Sequence, residues 1–151
     1  MSDLSYLMKI YTVCKDIAKE QHKGQMYGQL DYFGGHVHKV VSKVESMSRD
    51  LPQHEIIFLK CVAMLHDVVE DCCTVEYLDE ELIPYRIIRS VMKLTKTKEQ
   101  TLEKYIEDVK SCKYATLVKI ADALCNLEES FKSGEQRRIN KYLKTLELLA
   151  N

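Results

Sequence analysis

Apolar residues recur every three or four positions along almost the whole chain, the spacing that gathers them on one side of an α-helix. Leu4, Leu7, Met8, Tyr11, Cys14, Ile17 and Ala18 mark such a face over residues 3–22, and Val37, Val40, Val41 and Val44 mark another over 36–47. After the break at "RDLP", a third helix is expected from about Gln53 to Asp71. Thr74 is placed to cap a short helix in "TVEYLDEELI", and Pro84 suits the first turn of "PYRIIRSVMKL". Residues 98–111 and 113–127 are each amphipathic, and "EQRRINKYLKTLELLA" after Gly134 supplies a last helix. No stretch alternates convincingly as a strand. The pattern predicts an all-α, single-domain bundle of about seven or eight helices over residues 1–151. Between the first two helices lies a loop holding Gly24, Gly28, Gly34 and Gly35, four of the chain's five glycines. Loops carried by a rigid scaffold often hold functional groups, so this clustering draws attention.

The third helix ends in an unusual way. "AMLHDVVED", Ala63 to Asp71, sets His66, Asp67, Glu70 and Asp71 at the end of an apolar run. On a regular helix these four fall within an arc of about 140°, while Cys61, Leu65, Val68 and Val69 cover the rest. Ionised groups facing a core must be paired, hydrated or bound to metal. A solvated helix end is the plain alternative. In "KYATLVKIADALCNL", Leu117, Ile120, Leu124 and Leu127 mark the apolar side, and Lys119, Asp122 and Asn126 share the opposite side. With one more histidine, His66, Asp67 and Asp122 make a set of two imidazoles and two carboxylates. Such a set suits Mn, Fe or Zn better than Ca. An octahedral ion held by four protein donors keeps two positions for water and a phosphate oxygen, and Glu70 and Asp71 stand one turn away to orient or deprotonate that water.

Composition narrows the partners. Hydrophobic residues make up 46% and charged residues 30% of the chain, as in a soluble globular domain. The net charge of −1 gives no support for nucleic acid or a membrane surface. No apolar run approaches the roughly 20 residues of a membrane span, and "MSDLSYLMKI" lacks the features of a secretory signal, so a cytoplasmic location is expected. The six cysteines form no C-x-x-C pair and read as reduced, mostly buried apolar residues. Cys72 and Cys73 lie close enough to the acids to be conceivable zinc ligands, a weaker reading.

Together "HKGQ" at His22–Gln25, His36, "LHDVVED" at Leu65–Asp71 and "KIADALCN" at Lys119–Asn126 resemble the HD-domain phosphohydrolases. They look most like the alarmone hydrolases, the hydrolase domain of RelA/SpoT-type enzymes and their small stand-alone relatives. That pattern runs A-H-x-G-Q-x-R-K-x-G-x-P-Y-x-x-H-P, then L-H-D-x-x-E-D, then K-x-A-D-x-x-x-N, and the resemblance spans Ala18 to the last helix. It implies an all-helical fold and His36, His66, Asp67 and Asp122 as metal ligands. The implied ion is manganese, with Fe, Zn or Mg as alternatives. Glu70 and Asp71 match the acidic pair beside the water, and Lys119 and Asn126 match positions that face the nucleotide. Laid without a gap, the aromatic partner of the metal histidine falls on Phe33.

Departures concern the nucleotide. The Arg-Lys pair after G-Q is replaced by Tyr27 and Gly28, P-Y by Tyr32 and Phe33, and the second histidine of the last motif by Cys125. Tyr27 can stack on a base but brings no charge. Among Lys23, Lys96, Arg137, Arg138 and Lys141, Lys23 and Lys141 are singled out for phosphate contact. The implied activity is 3′-pyrophosphohydrolysis of ppGpp or pppGpp, a reaction of the stringent response. The alternatives are hydrolysis of another nucleotide and a non-catalytic nucleotide-binding module.

Overall fold

Helix α1 (Leu4–Gln21) begins where the Asp3 carboxylate accepts the Ser5 amide, leaving Leu7, Ile10, Cys14, Ile17 and Ala18 on its buried side. In the computed structural model, which describes residues 3–151, a small hairpin follows, β1 (Met26–Tyr27) with β2 (Leu30–Asp31). A π-turn over Phe33–Val37 leads into α2 (His38–Met47). Then come α3 (Gln53–Leu65), α4 (Val68–Asp71), α5 (Val75–Glu80), α6 (Tyr85–Leu94), α7 (Leu102–Lys110), α8 (Lys113–Ser133) and α9 (Gln136–Ala150). The fold is all-α, as the spacing predicts. The ninth helical segment arises because the expected third helix is divided in two.

Helix α3 is the axis of the domain, packed against α1, α2, α6 and α8. Ile57, Leu59, Cys61, Val62, Ala63, Met64 and Leu65 are all buried, so this helix is covered on nearly every side. Leu59 is 0% exposed. Leu59→Ala is expected to cost about 2–5 kcal/mol, the range for a buried leucine whose cavity only partly collapses, as read by urea unfolding. Local signals set the ends. Thr74 caps α5 by accepting the Tyr77 amide, Pro84 precedes α6, and Gly134 ends α8 in the left-handed region at φ 70°. Helix α7 starts later than its apolar spacing suggests, because the Thr101 hydroxyl accepts the Lys104 amide and fixes the first turn there.

Three departures lie around one place. The hairpin is antiparallel, with Met26 opposite Asp31 and Tyr27 opposite Leu30. Two-residue strands are too short to show alternation, and Gly28 at φ 61° makes the turn possible. The second helix, expected from His36, begins instead as the π-turn, beneath the hairpin. A Cβ on Gly35 would lie 2.9 Å from the Leu30 Cβ, so this glycine permits the close approach. The third departure is the break after Leu65. The His66 amide bonds back only three residues, to the Ala63 carbonyl at 3.4 Å, and the His66 ring Nδ1 takes the same carbonyl at 2.6 Å. Asp67 then leaves helical values at φ −107° before α4 resumes, with the Asp71 amide on the Asp67 carbonyl.

Candidate metal centre and cleft

Neighbouring residues on a regular helix point about 100° apart, so His66 and Asp67 would diverge along an unbroken α3. The break brings them together, with His66 Nε2 3.0 Å from Asp67 Oδ2. From the π-turn, His36 Nε2 reaches Asp122 Oδ1 at 2.9 Å and lies 3.7 Å from Asp67 Oδ2. Asp122, midway along α8, places Oδ1 3.5 Å from His66 Nε2. One donor atom from each of the four residues lies within 4.8 Å of every other. Donors bound ~2.1 Å from an ion at right angles stand ~3.0 Å apart, so these separations are those of a shared coordination sphere.

The chemistry of the four donors fits a cation. A carbonyl oxygen only accepts, so His66 Nδ1 carries a proton, and the ring turns Nε2 toward two carboxylates. That nitrogen is buried and has no well-formed hydrogen bond. Acceptors facing acceptors require a positive charge among them, either a proton or a metal ion. Burial opposes a proton on His66, but Asp67 and Asp122 outweigh it and lift the imidazole well above its usual range. Burial likewise works to raise Asp67, while His66 opposes it and holds the carboxyl at about 2. Asp122 stays well below the carboxylate range: the cost of burial is overcome first by Lys119, whose Nζ sits 2.9 Å from Oδ2. Two fixed carboxylates and two imidazoles make a mixed N/O set suited to a divalent transition ion.

Beside these donors opens a cleft of about 290 Å³. Glu70 and Asp71 stand on its acidic side, and partial desolvation together with the Asp67 charge raises the Glu70 carboxyl above its ordinary value. Gln25 donates to Asp71 Oδ2 at 3.1 Å and itself accepts from the buried His22 ring. Lys96, Arg138 and Lys141 supply cations along other parts of the wall. Tyr27 stacks on His36 at 4.9 Å between centroids, gives its hydroxyl to Asn126 Oδ1 at 2.6 Å, and lies under the Arg138 guanidinium.

Several sequence expectations change here. Lys23 is exposed in the turn after α1 and does not line the cleft, because the chain bends there to enter the hairpin. Arg137 is exposed and outside it as well. Lys119 and Asn126 border the cleft but are turned onto Asp122, Lys119 on Oδ2 and the Asn126 amide on Oδ1 at 3.0 Å. Phe33 packs toward Lys19 and His38, and the aromatic at the centre is Tyr32, whose hydroxyl donates to Asp67 Oδ2 at 2.5 Å. Spacing also missed Tyr105 and Tyr142 on the cleft wall. Cys72 bonds with His22 and Gln25, away from the four donors.

No family model matches the chain, and no curated protein sequence does so. A solved structure described as a metazoan ortholog of SpoT that hydrolyzes ppGpp and plays a role in starvation responses shares this fold with a TM-score of 0.72. The two are 23% identical, over 93% of this chain and 85% of that chain. The likeness establishes a common architecture. Among the described residues, no helix is long and apolar enough to cross a membrane.

Proposed function

We propose that this protein is a metal-dependent phosphohydrolase that removes the 3′-pyrophosphate of ppGpp or pppGpp, releasing GDP or GTP. One observation carries the reading: a buried imidazole nitrogen faced by two carboxylates, at the edge of a cleft with acids on one side and cations on the other. His36, His66, Asp67 and Asp122 would hold the ion. When bound, a divalent ion such as manganese lowers the pKa of water and offsets charge on a phosphoryl group.

The chain's own groups account for the remaining steps. Glu70, exposed to the cleft and raised in pKa, accepts a proton from the attacking water, and Asp71, tethered by Gln25, orients that water. A water oxygen bonds to the phosphorus attached to the 3′ oxygen and the bond to that oxygen breaks; the 3′ oxygen takes up a proton to become the hydroxyl of GDP or GTP, and pyrophosphate departs carrying the water's oxygen. Lys96, Arg138 and Lys141 meet the remaining phosphates, and Tyr27 offers a face to the base. Lys119 and Asn126 act through Asp122, by setting the direction and charge of its carboxylate. Six free cysteines accord with a reducing, cytoplasmic setting and with a nucleotide substrate found there.

The decisive assay is product analysis with ppGpp and Mn²⁺. Pyrophosphate and GDP are expected in equal amounts; orthophosphate as first product, or no turnover, overturns the reading. Arg138→Ala is expected to raise KM about tenfold or more with kcat nearly unchanged, since a charge-assisted bond to a phosphate is worth about 1.5–3 kcal/mol in both ground and transition states. Steady-state kinetics check it. A second reading, hydrolysis of a different nucleotide at the same centre, is favoured by Tyr27 standing where an arginine would cover the base. A panel of nucleoside monophosphates and cyclic nucleotides separates the two.

A further inference from the structure

Tyr32 stands where the resembled motif places a proline, a position with no expected role, yet its hydroxyl makes the one direct hydrogen bond from the glycine-rich segment to the four-donor cluster. An ionised carboxylate only accepts, so Tyr32 donates, and it donates to Oδ2 of Asp67. That is the oxygen facing both imidazoles, 3.0 Å from His66 and 3.7 Å from His36. The ring is held from two sides, by His22 at 4.7 Å between centroids and by His36 at 5.3 Å. His22 is fixed in turn by Gln25. The π-turn explains why this residue does the work. Each residue of a π-helical turn advances less around the axis than in an α-helix, so Tyr32, four before His36, lies where an α-helical register would have put Phe33.

We infer that Tyr32 is a positioning residue for the metal centre: its hydroxyl fixes the Asp67 oxygen that faces the two imidazoles, and the π-turn supplies the register for it. The inference rests on reading the four donors as a metal site and not on the identity of the substrate. Hydrogen bonds to ligating carboxylates orient them, and their loss weakens metal binding by roughly 10–100-fold.

The test uses the whole chain, stripped of metal and titrated with Mn²⁺ and with Zn²⁺ against a chromophoric chelator. Tyr32→Phe keeps the ring between His22 and His36 and removes only the hydroxyl. Its dissociation constant is expected to rise roughly 10–100-fold. Phe33→Leu, altered at the position an ungapped motif would choose, is expected to bind as the wild type does. Melting curves with chelator present show whether each variant folds. A Tyr32→Phe protein that binds metal like the wild type overturns the inference, as does one that no longer folds or a Phe33→Leu protein that loses as much affinity. A wild type that takes up no ion overturns both this inference and the functional reading. Absence of ppGpp turnover by a metal-loaded wild type removes only the latter.

Discussion

Asp122→Asn is expected to lose metal and turnover together. Asp122 is where the two halves of the centre meet: Oδ1 lies against His36, His66 and Asn126, and Oδ2 against Lys119. The amide keeps the shape and removes the charge, leaving a weak donor where an ion needs a strong one, with Lys119 short of its partner. Elemental analysis is expected to find the variant nearly free of metal, and added Mn²⁺ to leave its melting temperature unmoved while raising that of the wild type. Under the proposed function, loss of the ion would leave water less acidic and phosphoryl charge unopposed, so kcat/KM is expected to fall at least about a thousandfold. Circular dichroism tells this outcome from unfolding. A variant that keeps full metal and activity removes the four-donor centre from the mechanism.

Glu70→Gln separates what Asp122→Asn loses at once. Glu70 borders the cleft but is not among the four converging donors, so metal content and metal-induced stabilisation are expected to stay at wild-type levels. The glutamine fills the same space and cannot take a proton. General-base catalysis is worth about 10²–10⁴-fold, and the loss is expected in kcat with KM little changed. Stopped or coupled pyrophosphate assays on metal-loaded protein measure it. Loss of metal in Glu70→Gln would place this carboxylate in the coordination sphere instead.

The helices were legible because burial imposes its period on the sequence, and all eight expected segments are present. His66, Asp67 and Asp122 could be marked from residue type and helical angle, whereas His36 came only from the resemblance, since a lone histidine after two glycines carries no period. The break after Leu65 was hidden. "MLHDVVED" keeps helical spacing across it, and the cause is a ring nitrogen competing for the Ala63 carbonyl. Tyr32 was missed for a related reason: spacing rules assume one kind of turn, and the chain uses another there. Lys119 and Asn126 were placed on the correct side of α8, but only packing shows that they turn toward Asp122. Arg138 was one of several basic residues until α9 folded back along α8 and brought it over Tyr27.

The π-turn also makes the centre depend on the kind of turn the chain takes before α2, and not only on which residues stand there. Removing one of the five from Phe33 to Val37, Gly34 for instance, would let the segment relax into an ordinary helix. Tyr32 would then stand three residues before His36 in that helix, close to where the wide turn already holds it. The tyrosine would stay within reach of the aspartate, and none of the four donors would have been altered. Shortening the stretch by one codon is therefore the gentler change, whereas straightening the turn at full length would carry Phe33 into the tyrosine's place.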